Sequence, residues 1–370
     1  MKKLVFFCVL FLSAHISELL YANDIEFLRD TNLLDTNKAT LVAVSHSRFS
    51  ETLDVLNYSD NFAETKLKSS TTKTISITHQ LDNSLRIALQ YTKASTDLER
   101  ALYPNKLESD SESLFLSASY PIMISGSKIY DLEVYAQEDK QEPLKIDCYQ
   151  FGSEIIGGSC SEASIRFFDS EMYQQTGEKV FKPVMQIEGD AEAFGLTLRI
   201  IDTDDQKFRL HHSFSLSRTK LRVTYLSDIL DTTDPFLLDS LVGGSTIGSI
   251  INAFKQDIPQ TSPWYENKFK YALSAIYQIN TELYLASRFS LIKISRSNYL
   301  SHPLKTDFNS NKLLDLGLFY SLSERIGVYG RLALSSNYLL GTNSLSYNRK
   351  SSHLFDHPYG EVYIGLLINF

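Results

Sequence analysis

One pattern recurs from residue 39 to the end of the chain: apolar and polar residues alternate with a period of two. In IGVYGRLALSS, Ile326, Val328, Leu332 and Leu334 alternate with Tyr329, Arg331 and Ser335. In NKFKYALSAIYQI, Phe269, Tyr271, Leu273 and Tyr277 stand against Lys268, Lys270, Ser274 and Gln278. LLDLGLFYSL, KFRLHHSFSLS, TKLRVTYLS, AFGLTLRII, SLRIALQYT and TKTISITHQL behave alike. A period of two is the mark of a strand whose faces meet different surroundings, and a helix cannot produce it. The chain closes on YGEVYIGLLINF, where Val362, Ile364, Leu366, Ile368 and Phe370 are apolar and Glu361, Tyr363 and Asn369 face the other way.

The connections fall into two lengths. Residues 82–84, 124–127, 280–282 and 323–325 are tight turns, whereas 94–112, 137–181, 227–265, 295–311 and 338–357 are long and polar or mixed. Short turns at one end and long loops at the other are how a membrane barrel is strung. Strands near 39–48, 72–81, 84–93, 113–122, 128–136, 182–189, 193–202, 207–216, 218–226, 267–278, 283–294, 312–322, 326–337 and 359–370 make fourteen, an even number that returns both ends to one side. That count leaves SIRFF at 164–168 in an outer excursion. Without 39–48 and 182–189, the two weakest segments, the count is twelve.

The front end has the form of a secretory signal. Met1-Lys2-Lys3 precedes the apolar run LVFFCVLFL, too short to span a bilayer, and cleavage is expected after Ala22, with Ala14 as the fallback. Loss of residues 1–22 removes two lysines and one glutamate, taking the formal charge from -8 to -9. An acidic mature chain speaks against a nucleic-acid partner, which needs a basic surface. Cys8 is lost with the signal, leaving Cys148 and Cys160 with eleven residues between them, the spacing of a disulfide-closed loop in an oxidising compartment. The pair lacks the CxxC and histidine spacing of a metal site. After residue 22 no apolar stretch approaches a transmembrane helix. Residues 23–38 read as a polar periplasmic lead-in too short for a plug domain, and 39–370 as one all-β unit.

Taken together, the leader, the amphipathic strands over most of 39–370 and the terminal phenylalanine resemble a Gram-negative outer-membrane β-barrel, porin-like and of no specified subfamily. The resemblance implies export by a cleaved signal peptide into the outer membrane, contact with lipid and lipopolysaccharide, and recognition of Val362, Ile364, Leu366, Ile368 and Phe370 by the barrel-assembly machinery. Long loops would face outward and short turns the periplasm.

In such a barrel each strand sorts its own side chains between lipid and lumen. The lumen set is Arg199, Lys207, Arg209, His211, Lys220, Arg222, Lys268, Lys270, Arg288 and Arg331, joined by Arg86 and Lys128. The acids placed there are Asp131, Glu133, Glu282, Asp315 and Glu361. A basic wall lowers the barrier for anions; the plainer reading is a set of charge ladders paired with carboxylates. Within 227–265, Asp234 and Pro235 can start a helix carrying Leu237, Leu238, Leu241, Ile247, Ile250, Ile251 and Phe254 at three- and four-residue steps, hinged at Gly243-Gly244. This segment is expected to fold over or into the mouth as a lid or constriction. His211 and Ser213 share a face, as the pair in outer-membrane phospholipases does. That face is the lumen rather than lipid, and no Ser-Asn-Gly follows, so no catalytic residue is expected. The acidic runs 107–113 and 231–234 are expected as solvated loops rather than Ca²⁺ sites. The expectation is a pore or facilitated channel for small, possibly anionic, solutes that needs neither cofactor nor resident metal. The alternative is a surface-interaction barrel with a filled lumen, and a lipid-modifying enzyme is third.

Overall fold

The computed structural model describes residues 24–30, 40–50, 52–53, 65–81, 84–100, 106–146, 185–204, 207–226, 239, 241–242, 245–246, 249, 263–299, 309–335, 337–338, 349–350 and 360–370. Twelve long strands run β1 Thr40–Ser50, β2 Thr65–Gln80, β3 Arg86–Arg100, β4 Lys106–Ser125, β5 Lys128–Ile146, β6 Met185–Asp202, β7 Phe208–Leu226, β8 Trp264–Gln278, β9 Leu283–Ser297, β10 Ser310–Ser321, β11 Ile326–Ser335 and β12 Gly360–Asn369. Each pairs antiparallel with its neighbours in sequence, and β1 pairs with both β2 and β12, which closes an up-and-down barrel. Closure leaves no sheet edge, the condition for a sheet to stand in lipid. It reaches the last residue, where the Phe370 amide donates to the Thr40 carbonyl over 3.0 Å.

Period two becomes two surfaces. On β7, Phe208, Leu210, Phe214 and Leu216 point outward and are exposed, while His211, Ser213 and Ser215 point inward and are buried. On β12, Ile364 is 71% exposed beside Tyr363 at 1%. The outward row on the remaining long strands is dominated by leucine, isoleucine, valine and aromatic side chains, a surface suited to hydrocarbon. Short connections join β2 to β3, β4 to β5, β6 to β7, β8 to β9 and β10 to β11 at one end, and Gly126 takes the left-handed φ of 58° that its two-residue turn needs. Two inward tyrosines lie over glycines of the next strand: Tyr135 over its partner Gly195, and Tyr329 over its partner Gly365. A Cβ at either glycine would overlap the ring.

Three expectations change. The fourteen strands become twelve, but not by loss of 39–48 and 182–189: β1 is the closing strand, and 182–189 merges with 193–202 while 207–216 merges with 218–226. The β6–β7 ladder is unbroken from Gln186 opposite Leu226 to Ile200 opposite His212. Second, much of 94–112 and the first residues of 137–181 are strand rather than loop, since β4 and β5 run for 20 and 19 residues. A bilayer is crossed by about 9–11 strand residues. Beyond it no lipid dictates which side is apolar, so the alternation that would mark a strand fades. Third, Leu241, expected in a helix hinged at 243–244, lies instead in a two-residue strand, Leu241–Val242, paired antiparallel with Ser245–Thr246. Cys148, Cys160, Leu237, Leu238, Ile247, Ile250, Ile251 and Phe254, residues 1–23 and SIRFF at 164–168 lie outside the described residues.

Candidate functional site

Residues Asp24–Asp30, within the expected polar lead-in, form a seven-residue helix, α1, enclosed by the barrel. Phe27 and Leu28 are 0% exposed, and Arg29 is buried. These two apolar side chains join an inward cluster of Ala43, Ile276, Ala286, Phe319 and Tyr329, drawn from β1, β8, β9, β10 and β11. The sequence supplies the reason for both placements. DIEFLRD is too short to be stable as a helix in water, and its consecutive Phe-Leu needs cover that only the lumen supplies.

Charge fixes its orientation. On one side the Glu26 carboxylate lies 2.6 Å from Lys270 Nζ and 3.8 Å from Arg288 Nη1. Arg288 Nε also donates to Asp315 Oδ2 over 2.8 Å, and Arg331 donates to Asp315 Oδ1 from Nε at 3.0 Å and Nη2 at 2.7 Å. On the other side Arg29 pairs with Glu133 and donates to Ser117 Oγ over 2.7 Å. Arg199 reaches the same Glu133 at 2.5 Å and Asp131 at 3.7 Å. The helix thus bridges a cationic seat on β8 and β9 and an anionic seat on β5. Its apolar middle is held differently: the Phe27 ring lies 6.1 Å from Phe319 in a stacked arrangement, with the Arg288 and Arg331 guanidiniums 5.3 and 4.7 Å from its centroid. Gly317 permits that approach, because a Cβ there would stand 2.9 Å from the Phe27 ring. Isolated buried charges are costly, so a lumen with this many remains folded because the acids and bases are interleaved.

Of the expected basic wall, Arg199, Arg209, His211, Lys268, Lys270, Arg288 and Arg331 sit on inward positions of their strands. Lys220 and Arg222 do not. They share the outward parity of Leu210, Phe214 and Leu216, while Leu221 between them is buried, and they pair across to Glu192 at 3.5 Å and Asp190 at 3.5 Å. Residues 218–226 alternate Leu221 and Val223 with Lys220 and Arg222, which alone suggests apolar-outward. The unbroken strand from Phe208 sets the opposite parity. His211 Nε2 donates to the Asp202 carbonyl over 3.1 Å inside the lumen, and His212 on the outer face meets the Tyr271 hydroxyl at 3.0 Å. Arg29, Arg86 and Arg199 also line a small cleft with Thr78, Ser119, Asp131 and Ile201. Among the described residues no cluster of histidine, cysteine and carboxylates has the arrangement of a metal site.

Glu26, Phe27 and Arg29 were missed by strand periodicity. The available signal was local: oppositely charged residues three apart flanking Phe-Leu, ahead of the first wall strand.

No family model matches the chain, and no curated protein matches it. Among solved structures, the translocator domain of the autotransporter NalP from Neisseria meningitidis superposes with a TM-score of 0.53 at 9% identity over 94% of each chain. The β-domain of the Bordetella autotransporter Brka and an outer-membrane channel from Pseudomonas putida F1 each reach 0.47, at 8% and 9% identity. They cover 90% of this chain and 100% and 96% of their own. At such identities the likeness is one of fold: the chain is built as a closed up-and-down β-barrel, the architecture it shares with the NalP translocator domain.

Proposed function

We propose that the protein is an outer-membrane channel for small solutes, closed in this state by α1. The observation that carries the reading is the way the helix is attached. Its ionic anchors, Glu26 and Arg29, bind wall residues that hold further partners: Arg288 retains Asp315 and Glu133 retains Arg199 when the helix leaves. Departure therefore strips Arg288 and Glu133 of one partner rather than all, which suits a removable plug better than a permanent filler. With Glu26 gone, Lys270 and Arg288 lose its carboxylate while Arg288 and Arg331 keep Asp315, so positive charge gains weight and the open lumen favours anions on that side.

The test is conductance of the purified chain in a planar bilayer. The unaltered protein is expected to open rarely. Reversing both anchors, Glu26→Lys with Arg29→Glu, sets like charges against each seat and is expected to raise the open time at least tenfold. Reversal potential in a salt gradient then reports anion preference. A double variant that retains its barrel by circular dichroism yet passes no current overturns the channel and leaves the filled, surface-interaction barrel in its place.

A further inference from the structure

We infer that the seats occupied by α1 form a binding site for short peptides with an anionic end, a cationic end and an apolar middle, and that α1 is that site's internal occupant. The inference deepens the channel reading by naming a substrate class for the same lumen, but the binding itself does not depend on conduction.

The helix displays three chemistries in a fixed order, and the wall answers each with a separate group. Lys270 and Arg288 receive the Glu26 carboxylate. Glu133, backed by Arg199, receives the Arg29 guanidinium. Between them, Gly317 leaves room for a ring, Phe319 stacks on it, and Arg288 and Arg331 present their cations to it. None of these wall groups needs a helix as such; each recognises a functional group. A carboxylate on Lys270 and Arg288 is a charge-assisted contact whatever molecule carries it. The ring seat takes an aromatic or aliphatic side chain by stacking and cation–π attraction. Glu133 takes an ammonium as well as a guanidinium.

The order of the groups narrows the class. Glu26 and Arg29 stand three apart on the helix, their Cβ atoms about 5–6 Å from one another, and Phe27 and Leu28 lie between them in sequence. A single amino acid, whose ammonium and carboxylate share one carbon, is too short to reach both seats, and a simple inorganic anion satisfies only one. A short peptide with an apolar or aromatic centre supplies all three groups.

Such a ligand competes with α1 for the same groups. The closed state is then the helix-bound state, and an arriving peptide displaces the helix by taking its contacts.

The experiment uses the full chain in detergent, in the unaltered form and as the Glu26→Gln, Arg29→Gln variant, whose plug keeps its apolar residues but loses both charges. The probe is the unlabelled tetrapeptide Ala-Phe-Leu-Ala, compared with the same peptide acetylated and amidated. Binding is read by isothermal titration calorimetry, and current is read on the same preparations in a planar bilayer. The expected result is that the variant binds the uncapped peptide at least tenfold more tightly than the unaltered chain does. It should also prefer uncapped over capped peptide by at least tenfold. Lys270→Gln on the variant background should remove most of that preference.

Equal binding of capped and uncapped peptides, or no binding to a variant that retains its barrel, overturns the site. Should the double-glutamine variant fail to fold, the Glu26→Gln single change in the full chain carries the same comparison. Binding without current sinks the channel and keeps the site; current without charge-dependent binding does the reverse.

Discussion

The two halves of the lumen are lined by different chemistry. β1 to β4 turn inward Ser45, Ser47, Thr72, Thr74, Ser76, Gln90, Thr92, Ser111, Ser113, Ser117 and Ser119, short groups that bond laterally, as Thr74 does to Thr92 at 3.3 Å and Gln90 to Thr92 at 3.2 Å. β5 to β11 turn inward Asp131, Glu133, Arg199, Lys270, Arg288, Asp315 and Arg331, long groups that reach across strands and into the lumen. Both halves are polar and both are buried, yet among the described residues the carboxylates and cations paired with the helix lie in the charged half; the hydroxyl half contributes Ser117 to Arg29 and turns Arg86 toward the same cleft. A hydroxyl satisfies itself within its own ladder, whereas a buried charge demands a partner and so organises whatever lies opposite.

The largest effect that sharpens this contrast is expected at Asp315. Asp315→Ala removes the carboxylate that Arg288 and Arg331 share, leaving Arg288 with Glu26 at 3.8 Å, and should cost about 3–5 kcal/mol in urea unfolding of the detergent-solubilised barrel. A loss below about 1 kcal/mol would mean that the charged half is not held by its pairs. Next comes the junction between the halves, where Gly365→Val on β12 drives a side chain into the Tyr329 ring. Forced overpacking of that kind costs about 1–3 kcal/mol, and a melting temperature equal to that of the unaltered protein would show that the ring moves freely. On the hydroxyl half, Thr74→Val removes one neutral hydrogen bond and is expected to cost about 1 kcal/mol or less. The smallest effect is expected at Arg222→Glu, which should leave ion selectivity in a salt gradient unmoved because Arg222 faces outward, while Lys270→Glu in the same assay shifts selectivity toward cations. A selectivity change with Arg222→Glu would place that side chain on the path.

Much of the outer half of this description was legible. A lipid face and a polar face differ enough that Leu316, Leu318 and Tyr320, or Val362, Ile364 and Leu366, could be assigned by parity, and so could Asp315 and Arg331 on the opposite faces. Where strands leave the bilayer the contrast weakens. That is why 182–189 and 193–202 read as two strands, and why Lys220 and Arg222 were assigned to the wrong side. Pairing was not legible at all. Asp315 meets Arg288 and Arg331 across two different strand neighbours, and Glu133 meets Arg199 and Arg29 from residues 66 and 104 positions away.

The sequence by itself determined that the chain is a barrel, which way most side chains of its wall face, and that its last strand must close the sheet, because each of these follows from local alternation and turn length. Only the tertiary structure decided that there are twelve strands, that Arg199, Lys270, Arg288 and Arg331 are matched by acids, and that Asp24–Asp30 occupies the lumen. These depend on which strands become neighbours and on what the closed wall encloses, and a seven-residue segment with one Phe-Leu pair carries no periodicity from which its place could be read.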